Sequence, residues 1–179
     1  MIRPILKAND KKLRLISKPV PKVDKKVLSL IEDLRDTLAM QEDPEGVGLA
    51  APQIGKNVQV FVMKIGNSVK SVINPVVIDL KNKKESNSGK KKARKKSKIM
   101  EGCLSLPHFY GPLKRNPKIT IKYLDEQGKE ITEVFTDFPA QIVQHEIDHL
   151  NGVFFTDRLL EQRAPLYEYH NGEWEQVEL

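Results

Sequence analysis

At 179 residues and 39% apolar, the chain can bury one core, whereas two domains would each be marginal, so a single domain over 1–179 is expected. No stretch approaches a membrane span, and the first ten residues carry Arg3 and Lys7 without a signal-peptide core, which predicts a soluble, cytoplasmic protein with no membrane partner. The single cysteine, Cys103, excludes an internal disulfide; the net charge of +6 comes from KNKKESNSGKKKARKKSK (81–98), where ten Lys or Arg against one acid give +9 and leave −3 elsewhere.

After an extended N-terminal arm, Val27, Leu28, Ile31, Leu34 and Leu38 recur at three- and four-residue steps behind Asp24, which predicts an amphipathic helix with an acidic N-cap. The Gly-rich passage GVGLAAPQIG (46–55) follows. Next come two β-branched runs, 58–63 and 71–78, read as strands around a Gly66-Asn67 turn. Segment 81–98 holds one apolar side chain, Ala93, too little to offset the entropy of ordering, and is expected to be a mobile insertion. Its charge is either simply solvated or attracts a polyanion such as RNA.

Beyond it, 118–124 alternates Ile119, Ile121 and Tyr123 on one face and turns through 125–128 into 131–135, a predicted hairpin. A second helix is expected from about Phe138 to Leu150, with Thr136 or Asp137 as cap, Pro139 in the first turn and Asn151-Gly152 at its end. The chain closes with strands at 166–169 and 173–179 around His170-Asn171-Gly172. The pattern is α+β, with mostly antiparallel strands around a central metal-binding helix.

That helix contains Gln144-His145-Glu146-Ile147-Asp148-His149. Two imidazoles four positions apart share one helical face and suit a single metal ion, while Glu146 can act as a base toward water. A catalytic site usually takes a third protein ligand. In a zinc endopeptidase, the alternative reading, it would lie downstream, with His170, Glu161, Glu168 and Glu173 as candidates. Cys103, in Glu101-Gly102-Cys103-Leu104-Ser105, is the better one, because its thiolate is a soft, strong ligand and Gly102 permits close backbone approach. A third reading is an RNA- or ribosome-binding module with a structural metal, but such sites take four protein ligands and only three are well placed.

Taken in order, GVGLAAPQ, EGCLS and QHEIDHLNG resemble the three signature motifs of peptide deformylases; the ILKANDKKLRLISKPV opening and VFFTDRL resemble the family too. The resemblance implies an enzyme that hydrolyses the formyl group from the N-formylmethionine of nascent polypeptides. It implies a metal held by Cys103, His145 and His149, ferrous iron above all, with Zn2+, Ni2+ or Co2+ able to occupy the site. Glu146 would shuttle the proton, and Gln53 with the Leu104 N–H would stabilise the oxyanion. Val47, Ile99, Phe138 and Ile142 would line the methionine pocket, Gly48 would pair with the substrate backbone, and Glu101 would adjoin it. Gln144 and Asp148 read as structural, Asp148 as a solvated acid. Three features depart from the usual pattern: the Lys-rich insertion, His108-Phe109-Tyr110 after Pro107, and a strand pair at the end where some members have a helix.

Overall fold

The computed structural model describes residues 1–80 and 100–179; the insertion 81–98 and Ile99 lie outside them. Helix α1 (Lys25–Ala39) starts where the Asp24 side chain accepts hydrogen bonds from the Lys26 and Val27 N–H groups. Its stripe of Ile31, Leu34 and Leu38 is completely buried and packs on Leu49, Val60, Val62 and Ile73. Those partners lie on or beside β1 (Gly48–Ala50), β2 (Val60–Ile65) and β3 (Ser68–Leu80). The β2–β3 hairpin turns at Gly66, whose φ of 57° lies in the left-handed region.

Strands β4 (Glu101–Cys103) and β5 (Leu106–Gly111) follow, then β6 (Lys118–Leu124) and β7 (Glu130–Thr136), helix α2 (Asp137–Leu150), helix α3 (Phe155–Gln162), and β8 (Leu166–His170) with β9 (Glu173–Val177). Two sheets result, of order β1-β2-β3-β6-β7 and β4-β5-β8-β9, and every pairing between these strands is antiparallel. Ala140, Ile142, Val143 and Leu150 of α2 pack on Phe61, Met63, Ile121 and Phe135 of the five-stranded sheet. The four-stranded sheet buries Leu166 against Phe155 and Leu159 of α3. Among the described residues, no helix is long and apolar enough to cross a membrane.

The architecture is the expected α+β arrangement, with local differences. The hairpin carries β2 and β3 beyond the apolar runs that announced them, because backbone pairing continues through polar residues to the turn. Helix α2 starts at Asp137, which has a φ of 56° and donates its N–H to Pro117 O; the Thr136 side chain makes no capping bond. Asn171 and Gly172 both have positive φ, 51° and 85°, as a tight hairpin turn requires. Strands β1, β4 and β5 and helix α3 were not anticipated. Three residues are too few to show a period in β1 or β4, and Pro107 and Gly111 disguise β5.

Asn74 ties the N-terminal arm to the larger sheet. It sits where the β3–β6 register shifts, has a φ of 51°, and its amide both accepts from Val20 N and donates to Val20 O at 2.7 Å. Asn74→Ala removes both bonds and places alanine at positive φ. Thermal or urea unfolding is expected to show a loss of about 1–3 kcal/mol, and an unchanged midpoint would contradict this role.

Candidate metal centre

One helical turn separates His145 and His149 on α2, and their rings meet edge to face with centroids 4.8 Å apart. Cys103, at the end of β4, brings its Sγ to 3.2 Å from His149 Nε2. The ligand atoms of these three side chains lie within 4.8 Å of one another, all buried, and no other such group occurs among the described residues. His170, Glu161, Glu168 and Glu173 do not join it; Glu161 instead pairs with Arg158.

The donor set fits a metal ion. A tetrahedral thiolate–imidazole site needs ligand atoms about 3.3–3.7 Å apart; the Cys103–His149 pair is near that spacing at 3.2 Å, and all three atoms fall within 4.8 Å of one another. Burial opposes ionisation of Cys103, but His149 and His145 beside it outweigh that and hold the thiol well below its usual range. Burial likewise opposes protonation of His145, yet Cys103 and Glu101 raise its pKa. A cation bound here would take the place of that proton.

His145 is oriented by Glu101, whose Oε1 lies 2.8 Å from His145 Nδ1, leaving Nε2 for a metal. Arg115 grips the same carboxylate with two bonds, Nη2 to Oε1 at 2.6 Å and Nε to Oε2 at 3.0 Å. Burial by itself would raise the Glu101 carboxyl, but the hydrogen bonds from His145 and Arg115 hold it at about 2. Arg115 also donates to Asp148 at 2.6 Å, and Arg158 holds Asp148 from the other side. Asp148 is therefore a buried partner of two arginines and not the solvated acid its sequence position suggests. Gln144 is structural as expected, bonded to Asn116 and to Ala140 O.

Glu146 is buried beside the cluster, and its Oε2 has no partner among the described residues. Burial pushes its carboxyl up to about 7 against the two nearby imidazoles, the range of a group that exchanges protons near neutrality. Gly48 makes room for it, since a Cβ there would lie 2.3 Å from Glu146 Oε1. Gln53 accepts from Ala50 N through Oε1 and turns Nε2 toward Cys103 Sγ, at 3.6 Å, and Ser105 Oγ, at 3.2 Å. Ser105 N donates to the same sulfur at 3.4 Å.

A cavity of about 190 Å³ opens on these groups, walled by Val47, Gly48, Leu104, Phe138 and Ile142 together with Met100 and Tyr110. It has one expected residue outside the described set, Ile99. Glu101 borders it, but its carboxylate is engaged by His145, Arg115 and Gln141. His108 is not part of the wall. Sequence reasoning missed Arg115, Ser105, Met100 and Tyr110; Arg115 stands in LKRNPK, a run that looks like a solvated loop.

The chain matches the family model described as Polypeptide deformylase over residues 2–164, which leaves β8 and β9 outside the matched stretch. It is 39% identical to a peptide deformylase of Pseudothermotoga lettingae over 163 residues, 91% of this chain and 86% of the relative. It is 38% identical to peptide deformylase 2 of Clostridium acetobutylicum over 160 residues, 89% of this chain and 97% of the relative. The crystal structure of a peptide deformylase from Thermotoga maritima superposes with a TM-score of 0.75 at 35% identity, covering 88% of this chain and 97% of that one. A peptide deformylase from Synechococcus elongatus in complex with actinonin gives 0.72 at 32% identity, with 88% and 80% covered.

Removing Arg115 tests whether the carboxylate it grips sets the metal affinity. Arg115→Leu is expected to weaken zinc binding, measured by chelator competition, about 10–100-fold. Arg115→Lys should recover only part of this, because an ammonium cannot make the forked contact. Undiminished affinity in the leucine variant would show that His145 needs no such support.

Proposed function

The chain belongs to the peptide deformylase family, and from that premise we propose that Cys103, His145 and His149 hold its metal, Glu146 moves the proton, and Gln53 and the Leu104 N–H receive the oxyanion. The reaction is hydrolytic removal of the formyl group from the N-formylmethionine of nascent polypeptides, yielding formate and a free amino terminus. One observation carries the assignment of roles: a buried glutamate oxygen without a partner among the described residues lies beside a thiolate–imidazole cluster at an apolar cavity.

The bound ion supplies Lewis acidity toward water and the formyl carbonyl. Glu146 takes a proton from the attacking water and passes it to the amine nitrogen as the C–N bond breaks, a role that its position and raised pKa support. Gln53, fixed by Ala50 N and Ser105, is held with its amide NH2 against the site, pre-organised to donate to developing negative charge. Glu101 is a positioning residue that orients His145. Val47, Phe138 and Ile142 receive the methionine side chain, with Ile99 assigned to the same pocket from the sequence. Strands β1 and β4 are end strands of their sheets and both border the cavity, which supports pairing of the substrate backbone with the Gly48 edge.

The resident ion is ferrous iron, with Zn2+, Ni2+ or Co2+ as substitutes; a soft thiolate with two imidazoles accommodates all four. The chain acts as one catalytic domain in the cytoplasm, where nascent chains are made. The +9 of segment 81–98 supports weak association with ribosomal RNA, which raises encounter without entering the chemistry.

Formate release from formyl-Met-Ala-Ser tests the activity. Glu146→Gln is expected to keep its metal and lose at least two orders of magnitude of turnover, consistent with loss of a general base (~10²–10⁴), whereas Cys103→Ala should lose the metal itself. Full metal occupancy in Cys103→Ala would remove that residue from the ligand set. Deleting 83–96 should leave turnover of this short peptide unchanged and weaken salt-sensitive co-sedimentation with ribosomes. Equal sedimentation of both proteins at low salt would make the segment a tolerated insertion.

A further inference from the structure

Three of the four tyrosines and the single tryptophan gather on one face of the four-stranded sheet. Tyr110 on β5 pairs with Tyr167 on β8, and Tyr169 on β8 pairs with Trp174 on β9. Alternation along a strand puts Tyr167 and Tyr169 on the same side, and cross-strand partners share that side. The opposite face carries Leu106, Phe109, Leu166 and Val177 into the small core under α3. That core accounts for the buried face; the aromatic face is half-buried at Tyr110 and Tyr167 and exposed at its outer end. Trp174 is 52% exposed and Tyr169 40%.

The rings form a continuous surface. Tyr110 and Trp174 meet edge to face with centroids 5.4 Å apart, and Trp174 and Tyr169 follow at 4.8 Å. Its inner end is part of the cleft wall. Gly102, opposite Tyr110 across β4–β5, has the ring where a side chain would be, since a Cβ there would lie 2.6 Å from Tyr110 Cδ1; both residues border the metal cavity. Aromatic surface thus runs outward from the site over Tyr110 to Trp174 and Tyr169.

We propose that Tyr110, Trp174 and Tyr169 form a subsite that binds an apolar or aromatic side chain at the third or fourth residue of the formylated peptide. The proposal rests on the deformylase reading, which fixes the formylmethionine in the cavity. An extended peptide advances about 3.3 Å per residue, so ring steps of 5.4 and 4.8 Å suit side chains a few residues downstream. Tyrosine and tryptophan offer large contact area with few rotatable bonds, and an exposed aromatic ledge beside a cleft is the surface such side chains recognise.

The test compares formyl-Met-Ala, too short to reach the ledge, with formyl-Met-Ala-Ala-Phe and formyl-Met-Ala-Ala-Ser. In the wild-type metalloenzyme the Phe peptide should have a KM lower than the Ser peptide by roughly threefold to tenfold, the size of one aromatic contact, at equal kcat. Trp174→Ala should abolish that preference and leave formyl-Met-Ala unchanged, while Trp174→Phe keeps it. Because Trp174 is the only tryptophan, its emission reports on the ledge without any substitution. The deformylated product Met-Ala-Ala-Phe should shift it saturably and Met-Ala should not. Equal KM for the two longer peptides, an equal loss on all three substrates, or unresponsive emission would overturn the subsite while leaving the deformylase reading intact. Failure of the wild type to hydrolyse formyl-Met-Ala would instead remove that reading, and the subsite with it.

Discussion

A buried carboxylate, Glu101, joins the two halves of the site, and the geometry of the metal centre depends on it. It sits at the start of β4, two residues before Cys103, and reaches across to His145 on α2. One side chain therefore fixes the strand that carries the thiolate against the helix that carries the imidazoles. A buried charge in that place is costly unless fully paired. Arg115 supplies the counter-charge, and Asp148 and Arg158 extend the pairing to the protein surface. The network is stable as a set, since removing one member of such a buried pair leaves an uncompensated charge worth about 3–5 kcal/mol.

The same closeness governs what surrounds Glu146. Its carboxyl is desolvated because β1 lies directly against α2, and β1 can lie there only because Gly48 has no side chain. Burial lifts the carboxyl toward neutrality and leaves Oε2 without a partner among the described residues. Around it, Gln53 is held on two sides, accepting from Ala50 N and donating to Ser105 Oγ. Polar groups of the site are thus positioned by contacts with one another, and the apolar wall of Val47, Phe138 and Ile142 is left to shape the cavity.

The two sheets divide the work. The larger one, with α1 and α2, holds the main cores and presents the histidines through a helix packed on it. The smaller one contributes the thiolate from its end strand and an aromatic face that begins at the cleft wall. Since β1 and β4 are the end strands of their sheets and both border the cavity, the cleft lies between two sheet edges.

The sequence by itself determined the features whose signal is local. The stripe on α1 behind Asp24, the His145–His149 spacing on α2 and the Asn171-Gly172 turn each depend on neighbours within one or two turns of chain, so periodicity and turn chemistry reveal them. Three ordered motifs identified the family, and the soft thiolate of Cys103 already marked it as the third ligand candidate. Only the tertiary structure decided which distant groups meet. Cys103 and His149 are 46 positions apart, and Arg115 is 14 from Glu101 and 33 from Asp148. An arginine in a polar run reads as a solvated loop residue until the fold closes around it, and Asp148 reads as a surface acid for the same reason. Strand β4 shows no period because three residues contain none, and the aromatic face exists only once β5, β8 and β9 lie side by side. Local preferences are written into adjacent side chains; the pairing of buried charges and rings is set by the path of the chain, which no short window of sequence contains.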